Sequence, residues 1–149
     1  MRLALFQPEI PGNVGAMLRL SACFGVAVDI IEPCGFVFSD SRVKRAGMDY
    51  IDHVDMTRHA DWAAFQNLKS GRTILLTTRS ETSLFDFEFL PSDSLLLGQE
   101  SAGAPPEVHQ ACDAKIRIPI KAGLRSLNVS MAAGIALSEA LRQIGHHSQ

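Results

Sequence analysis

The chain has few cysteines and no long hydrophobic run. Its 149 residues include only three cysteines, Cys23, Cys34 and Cys112, and no two of them form a C-x-x-C pair. This pattern argues against a disulfide framework and is typical of reduced thiols in a cytoplasm. No apolar stretch approaches the length of about 20 residues that spans a bilayer, and the N-terminus does not resemble a signal peptide. We therefore expect a cytoplasmic protein with no membrane partner.

Several common catalytic and cofactor-binding motifs are also missing. The sequence has no G-x-G-x-x-G, no Walker A motif, no H-E-x-x-H and no Cys/His spacing typical of a metal site, so we expect no bound metal. The loop from Gly98 to Gly103 has Gln99 where a nucleophile elbow would need glycine. A hydrolase with Ser101 as nucleophile is therefore a disfavoured alternative.

Charge of one sign is not in excess. Lys and Arg number 14 and Asp and Glu number 16, which gives a formal net charge of −2. No global field therefore attracts nucleic acid, and RNA binding would need a local basic patch or one assembled across a dimer. Apolar residues make up 46% of the chain, and apolar runs alternate with helical patterns throughout. This alternation predicts a single domain, residues 1–149, of the α/β class with a mainly parallel sheet flanked by helices.

The local patterns predict the individual elements. Buried strands are expected at RLALF, VAVDIIEP, TILLTT, SLLLG and KIRIPI. We expect Asn13 to cap a first helix that is buried nearly all round, and residues 55–68 to form one amphipathic helix. Phe85, Phe87 and Phe89 alternate like an edge strand, and Asn128 precedes a final helix rich in alanine.

Two loops in the last third of the chain contain most of the candidate ligand-binding groups. Each follows an apolar strand, and together they contain Gly98, Glu100, Gly103, Lys121, Gly123, Arg125, Ser126 and Asn128. Loops at the carboxyl ends of buried strands are where α/β proteins bind ligands. The glycines would let the backbone approach a ligand closely, so we expect a site here.

Arg19 is the only charged residue in the apolar first helix. It either extends to solvent and pairs there, or it is held at a ligand site.

A second feature is the basic segment with Arg42, Lys44 and Arg45, followed by Tyr50. This segment is either a solvated helix face or a surface that contacts RNA phosphates, with Tyr50 as a stacking ring.

Five stretches together resemble the SPOUT RNA methyltransferases: PEIPGNVGAMLRL, IEPCGF, SRVKRAGMDY, LLLGQESAG and IRIPIKAGLRSLNVS. The chain is most similar to the minimal branch that methylates the ribose 2′-oxygen of the tRNA wobble nucleotide, either cytidine or modified uridine. The resemblance covers essentially the whole chain. It implies a C-terminal deep trefoil knot, which is rare among folds. It also implies S-adenosyl-L-methionine bound in the knot, an obligate homodimer, and the tRNA anticodon stem-loop as partner.

The resemblance also assigns roles to residues. It implies that the cofactor site contains Leu76, Thr77, Thr78, Gly98, Ile118, Ser126 and Leu127. It implies that the catalytic residues are Asn13, Arg19, Glu100 and Asn128, with Arg19 reaching the partner subunit's site. It implies RNA contacts from Arg42, Lys44, Arg45, Tyr50 and Arg125.

The chain departs from the family pattern at Met131, where close relatives often have Asn, and at Ser138, where many have Tyr. These departures leave two alternatives open, a knotted RNA-binding module without turnover and a 2′-O-methyltransferase that acts at another tRNA or rRNA site. Family resemblance gives Arg19 a base-like role. A guanidinium stays protonated in proteins, however, so Arg19 could instead hold the adjacent phosphate or stabilise the developing alkoxide.

Overall fold

The computed structural model describes residues 1–38, 41, 45 and 50–146. Its strands are β1 (Arg2–Phe6), β2 (Ala27–Ile31), β3 (Met56–His59), β4 (Thr73–Leu76), β5 (Ser94–Leu97) and β6 (Ala114–Ile116). Its helices are α1 (Pro11–Phe24), α2 (Trp62–Leu68), α3 (Pro106–Ala111) and α4 (Val129–Gln143). The six strands form one parallel sheet in the order β3-β2-β1-β5-β4-β6, which confirms the predicted class. In the described residues, no helix is long and apolar enough to cross a membrane.

Side chains alternate between the two faces of the sheet, and each face has its own core. Leu3 and Leu5 of β1 pack with the buried side of α1 and α4, whereas Ala4 and Phe6 pack with α2 and α3. This arrangement follows from the two-residue period of a strand, which sends neighbouring side chains to opposite faces. Because helices cover both faces, the strands are apolar at nearly every position.

The segment 55–68 is not one helix, as the sequence pattern predicted. Residues 56–59 form β3, which pairs with β2, and α2 begins only at Trp62. The Asp61 side chain accepts a hydrogen bond from the Ala64 amide at 2.8 Å and thereby caps α2. The His59 side chain helps to hold residues 56–59 as a strand beside β2, because its Nε2 lies 2.8 Å from Oδ1 of buried Asp29 in β2. The cap at Asp61 was the sequence signal that separated strand from helix.

The three alternating phenylalanines do not form an edge strand. Leu84–Asp86 is a 3₁₀ turn, Phe85 is exposed, and the rings of Phe87 and Phe89 pack edge to face at 4.9 Å. The Gln143 side chain accepts from the Phe89 amide and donates to the Phe87 carbonyl, both at 3.0 Å. A side chain from α4 thus satisfies the backbone groups that a neighbouring strand would have paired.

The last strand is shorter than predicted, because pairing ends at Ile116 and not at residue 120. A loop that follows β4 lies directly over this end of the chain. The Ser80 hydroxyl donates to the Lys115 carbonyl at 2.7 Å, and the Leu84 amide donates to the Arg117 carbonyl at 2.7 Å. These contacts hold the loop across the point where the chain leaves the sheet.

Helix α1 begins earlier than predicted and is less buried. Pro11 occupies its first turn and Ile10 its N-cap position, so Asn13 lies inside the helix and does not cap it. Proline is favoured there because its fixed φ suits a first turn that has no amide partner. One stripe of α1 is exposed, namely Gly12, Ala16, Arg19 and Cys23, and Gly25 ends the helix with a positive φ.

Candidate active site

A cavity of about 550 Å³ opens at the carboxyl ends of the central strands. The chain segments that follow β1, β4, β5 and β6 form its walls, as expected for a ligand site in a parallel sheet. The structure brings most of the predicted site residues together in this cavity. They are Asn13, Leu76, Thr77, Thr78, Gly98, Glu100, Ile118, Arg125, Ser126, Leu127 and Asn128.

Of the remaining predicted residues, those that the structure describes lie outside the cavity lining. Arg19 is exposed on the outer side of α1, and its guanidinium carbon lies 4.9 Å from the centre of the Tyr50 ring. Arg45 is also exposed, while Arg42 and Lys44 lie outside the described residues. The cation–π contact places a predicted catalytic residue and a predicted RNA-binding residue side by side on the surface.

Glu100 caps helix α1 from a different loop. Its Oε2 accepts from the Glu9 amide at 2.9 Å, and its Oε1 accepts from the Ile10 amide at 3.3 Å. The N-terminus of a helix leaves amides unpaired and carries a partial positive charge, so a carboxylate is favourable there. Glu100 thus joins the loop after β5 to the start of α1.

Asn13 connects Glu100 to the start of the last helix. Its Nδ2 lies 3.4 Å from Glu100 Oε1, and its Oδ1 accepts from Asn128 Nδ2 at 3.1 Å. Asn128 caps α4, because its Oδ1 accepts from the amides of Ser130 at 2.9 Å and Met131 at 3.3 Å. One polar chain therefore crosses the cavity mouth and joins three loops.

Gly98 has a different structural role from the one expected. A Cβ at this position would lie 2.5 Å from the Ala104 nitrogen and 2.5 Å from the Gly103 carbonyl carbon. Its missing side chain therefore lets the 98–104 loop close on itself, where Gln99 and Gly103 exchange backbone hydrogen bonds at 2.9 and 3.0 Å. The close approach is between two parts of the protein backbone, and Gly103, with φ of +68°, makes the turn.

Sequence reasoning missed the contribution of the segment that follows β1. Glu9 accepts from the Ser101 hydroxyl at 2.7 Å and from the Ser101 amide at 2.9 Å. Gln7 accepts from Gln99 at 3.0 Å. The Ser101 hydroxyl therefore donates to a carboxylate, and the structure supplies no support for a nucleophilic Ser101. The parallel pairing of β1 with β5 brings these loops together, and strand order was not predicted from the sequence.

His109 and Arg79 also line the cavity, and neither was predicted to be a site residue. Burial lowers the pKa of His109, and the positive charges of Arg79 and Lys115 lower it further. The imidazole is therefore neutral at neutral pH. Arg79 and Arg125 give the cavity rim positive charge, although the protein as a whole carries a formal charge of −2.

The chain is similar to known RNA methyltransferases over nearly its whole length. It is 51% identical over 146 residues to a protein of Beijerinckia indica subsp. indica named tRNA (cytidine(34)-2′-O)-methyltransferase, covering 96% of this chain and 91% of that one. A solved structure described as "Structural insights into the 2-OH methylation of C/U34 on tRNA" matches with a TM-score of 0.92 and 41% identity. That match covers 95% of this chain and 94% of the other.

A more distant structure shows a bound cofactor. The AdoMet-bound rRNA methyltransferase of Sinorhizobium meliloti matches with a TM-score of 0.84 and 27% identity, covering 95% of this chain and 55% of that one. Residues 1–138 match the SpoU rRNA Methylase family, whose fold implies the C-terminal trefoil knot. The loop that lies over Lys115 and Arg117 is consistent with such threading. This chain belongs to the SpoU rRNA Methylase family.

Proposed function

We propose that this protein transfers a methyl group from S-adenosyl-L-methionine to the ribose 2′-oxygen of nucleotide 34, cytidine or uridine, in the tRNA anticodon loop. One observation carries the proposal. The residues expected to bind the cofactor and three of the four expected to be catalytic line a single cavity. The full-length similarity to a tRNA (cytidine(34)-2′-O)-methyltransferase supports the choice of acceptor.

The cavity suits the cofactor in size and in chemistry. Its volume of about 550 Å³ lies within the range of about 300–1,000 Å³ that is typical of small-molecule sites. Leu76, Leu97 and Ile118 provide an apolar lining suited to an adenine ring, while Thr77 and Ser126 provide hydroxyl groups for ribose and amino-acid atoms. When bound, S-adenosyl-L-methionine supplies a methyl group activated by a positively charged sulfonium.

The protein contributes mainly positioning to this reaction. The acceptor oxygen must approach in line and lose its proton, and correct placement of reactants is a large source of rate enhancement. We assign Asn13, Glu100 and Asn128 to orientation of the loops and of the target ribose, because they form one hydrogen-bonded chain at the cavity mouth. Arg19 would bind the neighbouring phosphate or stabilise the developing alkoxide, since a guanidinium stays protonated.

We assign the RNA contacts to two groups of residues. Arg125 lines the cavity and is exposed, so it can reach a phosphate next to the target nucleotide. Arg45 and Tyr50 belong to the second group, to which the sequence prediction adds Arg42 and Lys44, and the Tyr50 ring contacts Arg19. Phosphate contacts position a nucleic acid, whereas aromatic rings stack on unpaired bases such as those of an anticodon loop. We also assign the protein to the cytoplasm, where it would meet a tRNA substrate.

The protein acts as a homodimer in this proposal. Met131 and Ile135 lie four residues apart on one side of α4, and Leu127 precedes the helix four residues before Met131; the three residues are 63%, 38% and 41% exposed. An apolar stripe of this kind on the surface marks an interaction site. We propose that a second copy of this chain binds this surface and completes the site with its Arg19, because Arg19 lies outside the cavity of its own chain. Light scattering tests this assignment, and a mass of 16.2 kDa would contradict it.

The decisive experiment for the proposed function is methyl transfer with labelled cofactor to total tRNA from cells that lack this modification. We expect label in tRNA, mapped to the ribose of nucleotide 34. Label at another tRNA position or in rRNA would show a different acceptor. Cofactor binding without transfer to any RNA would support the knotted RNA-binding module instead.

The role of Arg19 gives a first testable prediction. Replacing Arg19 with Ala should abolish methyl transfer while cofactor affinity, measured by isothermal titration calorimetry, stays within about twofold of wild type. The reason is that Arg19 lies outside the cofactor cavity. If calorimetry showed cofactor binding lost together with activity, Arg19 would belong to the donor side of the site and the assignment would be wrong.

A further inference from the structure

Two glutamates connect the segment after β1 with the loop after β5, and each binds the other's segment. Glu9 accepts from both the hydroxyl and the amide of Ser101, at 2.7 and 2.9 Å. In return, Glu100 accepts from the amides of Glu9 and Ile10, at 2.9 and 3.3 Å. We call these four residues, Glu9, Ile10, Glu100 and Ser101, the loop clamp.

Gly35 packs closely against Glu9. A Cβ at Gly35 would lie 3.0 Å from Glu9 Cα and 3.2 Å from Glu9 Cβ, so a larger residue would have to displace Glu9. The Gly35 amide also donates to the Pro8 carbonyl at 2.9 Å. The IEPCGF stretch, which none of the roles assigned above uses, thus supports the position of Glu9.

The negative charge of the Glu9 carboxylate strengthens the hydrogen bonds of the loop clamp. Hydrogen bonds from the Ser101 hydroxyl and amide lower the pKa of the Glu9 carboxyl, so the group is ionised at neutral pH. Hydrogen bonds to an ionised acceptor are about twice as strong as those between neutral groups. Two carboxylates on neighbouring loops would otherwise repel each other, and the four amide and hydroxyl donors of the clamp offset that repulsion.

The clamp joins the two halves of the proposed reaction site. Ser101 and Glu100 line the cavity that would hold the methyl donor. Glu9 and Ile10 lead directly into α1, which carries Arg19, the residue assigned to the acceptor. We propose that Glu9 is a positioning residue for methyl transfer, which sets the donor wall relative to the acceptor helix by holding Ser101. This inference rests on the proposed function.

The test compares Glu9→Gln and Ser101→Ala with the wild type, and uses Ser101→Thr as the conservative variant and Glu107→Gln as control. Glu107 is an exposed carboxylate on α3, outside the clamp and the cavity lining. We expect kcat to fall at least tenfold in Glu9→Gln and Ser101→Ala, because misplacement of reacting groups by about 1 Å can cost about 100-fold. The Kd for S-adenosyl-L-methionine should change less than about threefold, and Ser101→Thr should keep most of the activity.

A second readout does not depend on activity. Amide hydrogen exchange at Ser101, measured by NMR, should accelerate in Glu9→Gln, because its acceptor becomes neutral, and stay unchanged in Glu107→Gln. Wild-type kcat in Glu9→Gln, or a loss of cofactor affinity as large as the loss of kcat, would overturn the inference. If wild-type protein methylated no RNA, the proposed function would fail. Even if the proposed function failed in this way, the hydrogen-exchange rate of the Ser101 amide would still test the loop clamp, and an unchanged rate in Glu9→Gln would refute it.

Discussion

Gly98 shows how a single missing side chain shapes the site. Its Cβ position is occupied by the backbone of Gly103 and Ala104 at 2.5 Å, which no rotamer change can relieve. The 98–104 loop forms one wall of the cavity, so the closure of this loop determines the shape of that wall. Glycine is required here by the protein's own packing, whether or not a ligand is bound.

Replacing Gly98 with Ala should therefore open the loop and weaken cofactor binding at least tenfold. Overpacking of this kind costs about 1–3 kcal/mol of stability. Urea denaturation and calorimetric titration measure the two effects. Gly134→Ala is the matched control, because a Cβ there meets no atom within 4 Å and alanine is favoured inside a helix. Wild-type cofactor affinity in Gly98→Ala would show that the loop tolerates the methyl group.

Among the helices, α4 depends on Asn128 both for its first turn and for its connection to α1. Its Oδ1 caps the helix and its Nδ2 binds Asn13. The two functions use different atoms of one amide. They can therefore be separated by substitution.

We expect Asn128→Ala to lose about 1 kcal/mol of stability, the usual cost of removing an N-cap, and most of the methylation activity. Asn128→Asp keeps the capping oxygen but loses the donor to Asn13, so it should retain stability and still lose activity. Asp61→Ala removes the cap of α2, which lies away from the cavity, and should cost similar stability without loss of activity. Urea denaturation and single-turnover kinetics check these outcomes. Full activity in Asn128→Asp would contradict a role for the Asn13 contact.

The C-terminal turn of α4 makes the stability of that helix depend on pH. Glu139 accepts hydrogen bonds from Arg142 and Gln143, which hold the pKa of its carboxyl at about 2, below the ordinary value of 4.5. A carboxyl with a lowered folded-state pKa stabilises the fold above its unfolded pKa, and this contribution is lost as pH falls from about 4.5 through about 2.

Wild type should therefore be more stable than Glu139→Gln at pH 7, by about 0.5–1 kcal/mol, because the Arg142 side chain is exposed and solvent screens the pair. The difference should shrink steadily below pH 4.5. Chemical denaturation of both proteins from pH 7 to pH 3 measures it. A difference that is constant across this range would show that the carboxyl charge does not contribute.

At the scale of the whole molecule, the proposed site needs two chains. The cavity of one chain holds the donor, and Arg19 of the other would reach the acceptor. Met131→Glu in the apolar stripe should therefore halve the mass in solution and reduce methylation at least tenfold, because burying an unpaired charge is costly. Leu68→Glu is the matched control, since Leu68 is 74% exposed on α2, on the opposite face of the sheet. An unchanged dimer in Met131→Glu would place the interface elsewhere.

Mixed dimers test the exchange of Arg19 directly. Arg19→Ala and Gly98→Ala chains, assayed at a cofactor concentration too low to fill the weakened Gly98→Ala cavity, should each be inactive alone and should recover activity when unfolded together and refolded. In a mixed dimer one of the two sites has an intact cavity and an intact Arg19, so statistical mixing should restore about a quarter of wild-type activity. No recovery would show that Arg19 serves the cavity of its own chain.

The sequence by itself determined the class of fold, five of the six strands, the start of α4 and the residue types at the strand ends. These features depend on local periodicity, on glycine and proline, and on capping residues, all of which act within a few positions. Eleven residues of the cavity lining were predicted from the strand-end loops and from the family resemblance, whereas Arg79 and His109 were not. The pattern failed at residues 56–59 and 85–89, where Asp29 of β2 and Gln143 of α4 supply the partners.

Only the tertiary structure decided how the loops are joined. Strand order places β5 beside β1, which brings Glu100 to the start of α1 and Glu9 to Ser101, and the packing of α4 against α1 brings Asn128 to Asn13. These pairs are separated by 91, 92 and 115 positions in the chain. No local propensity carries such information, because the contacts form only after the sheet has assembled and loop closure over long separations has been compensated by burial.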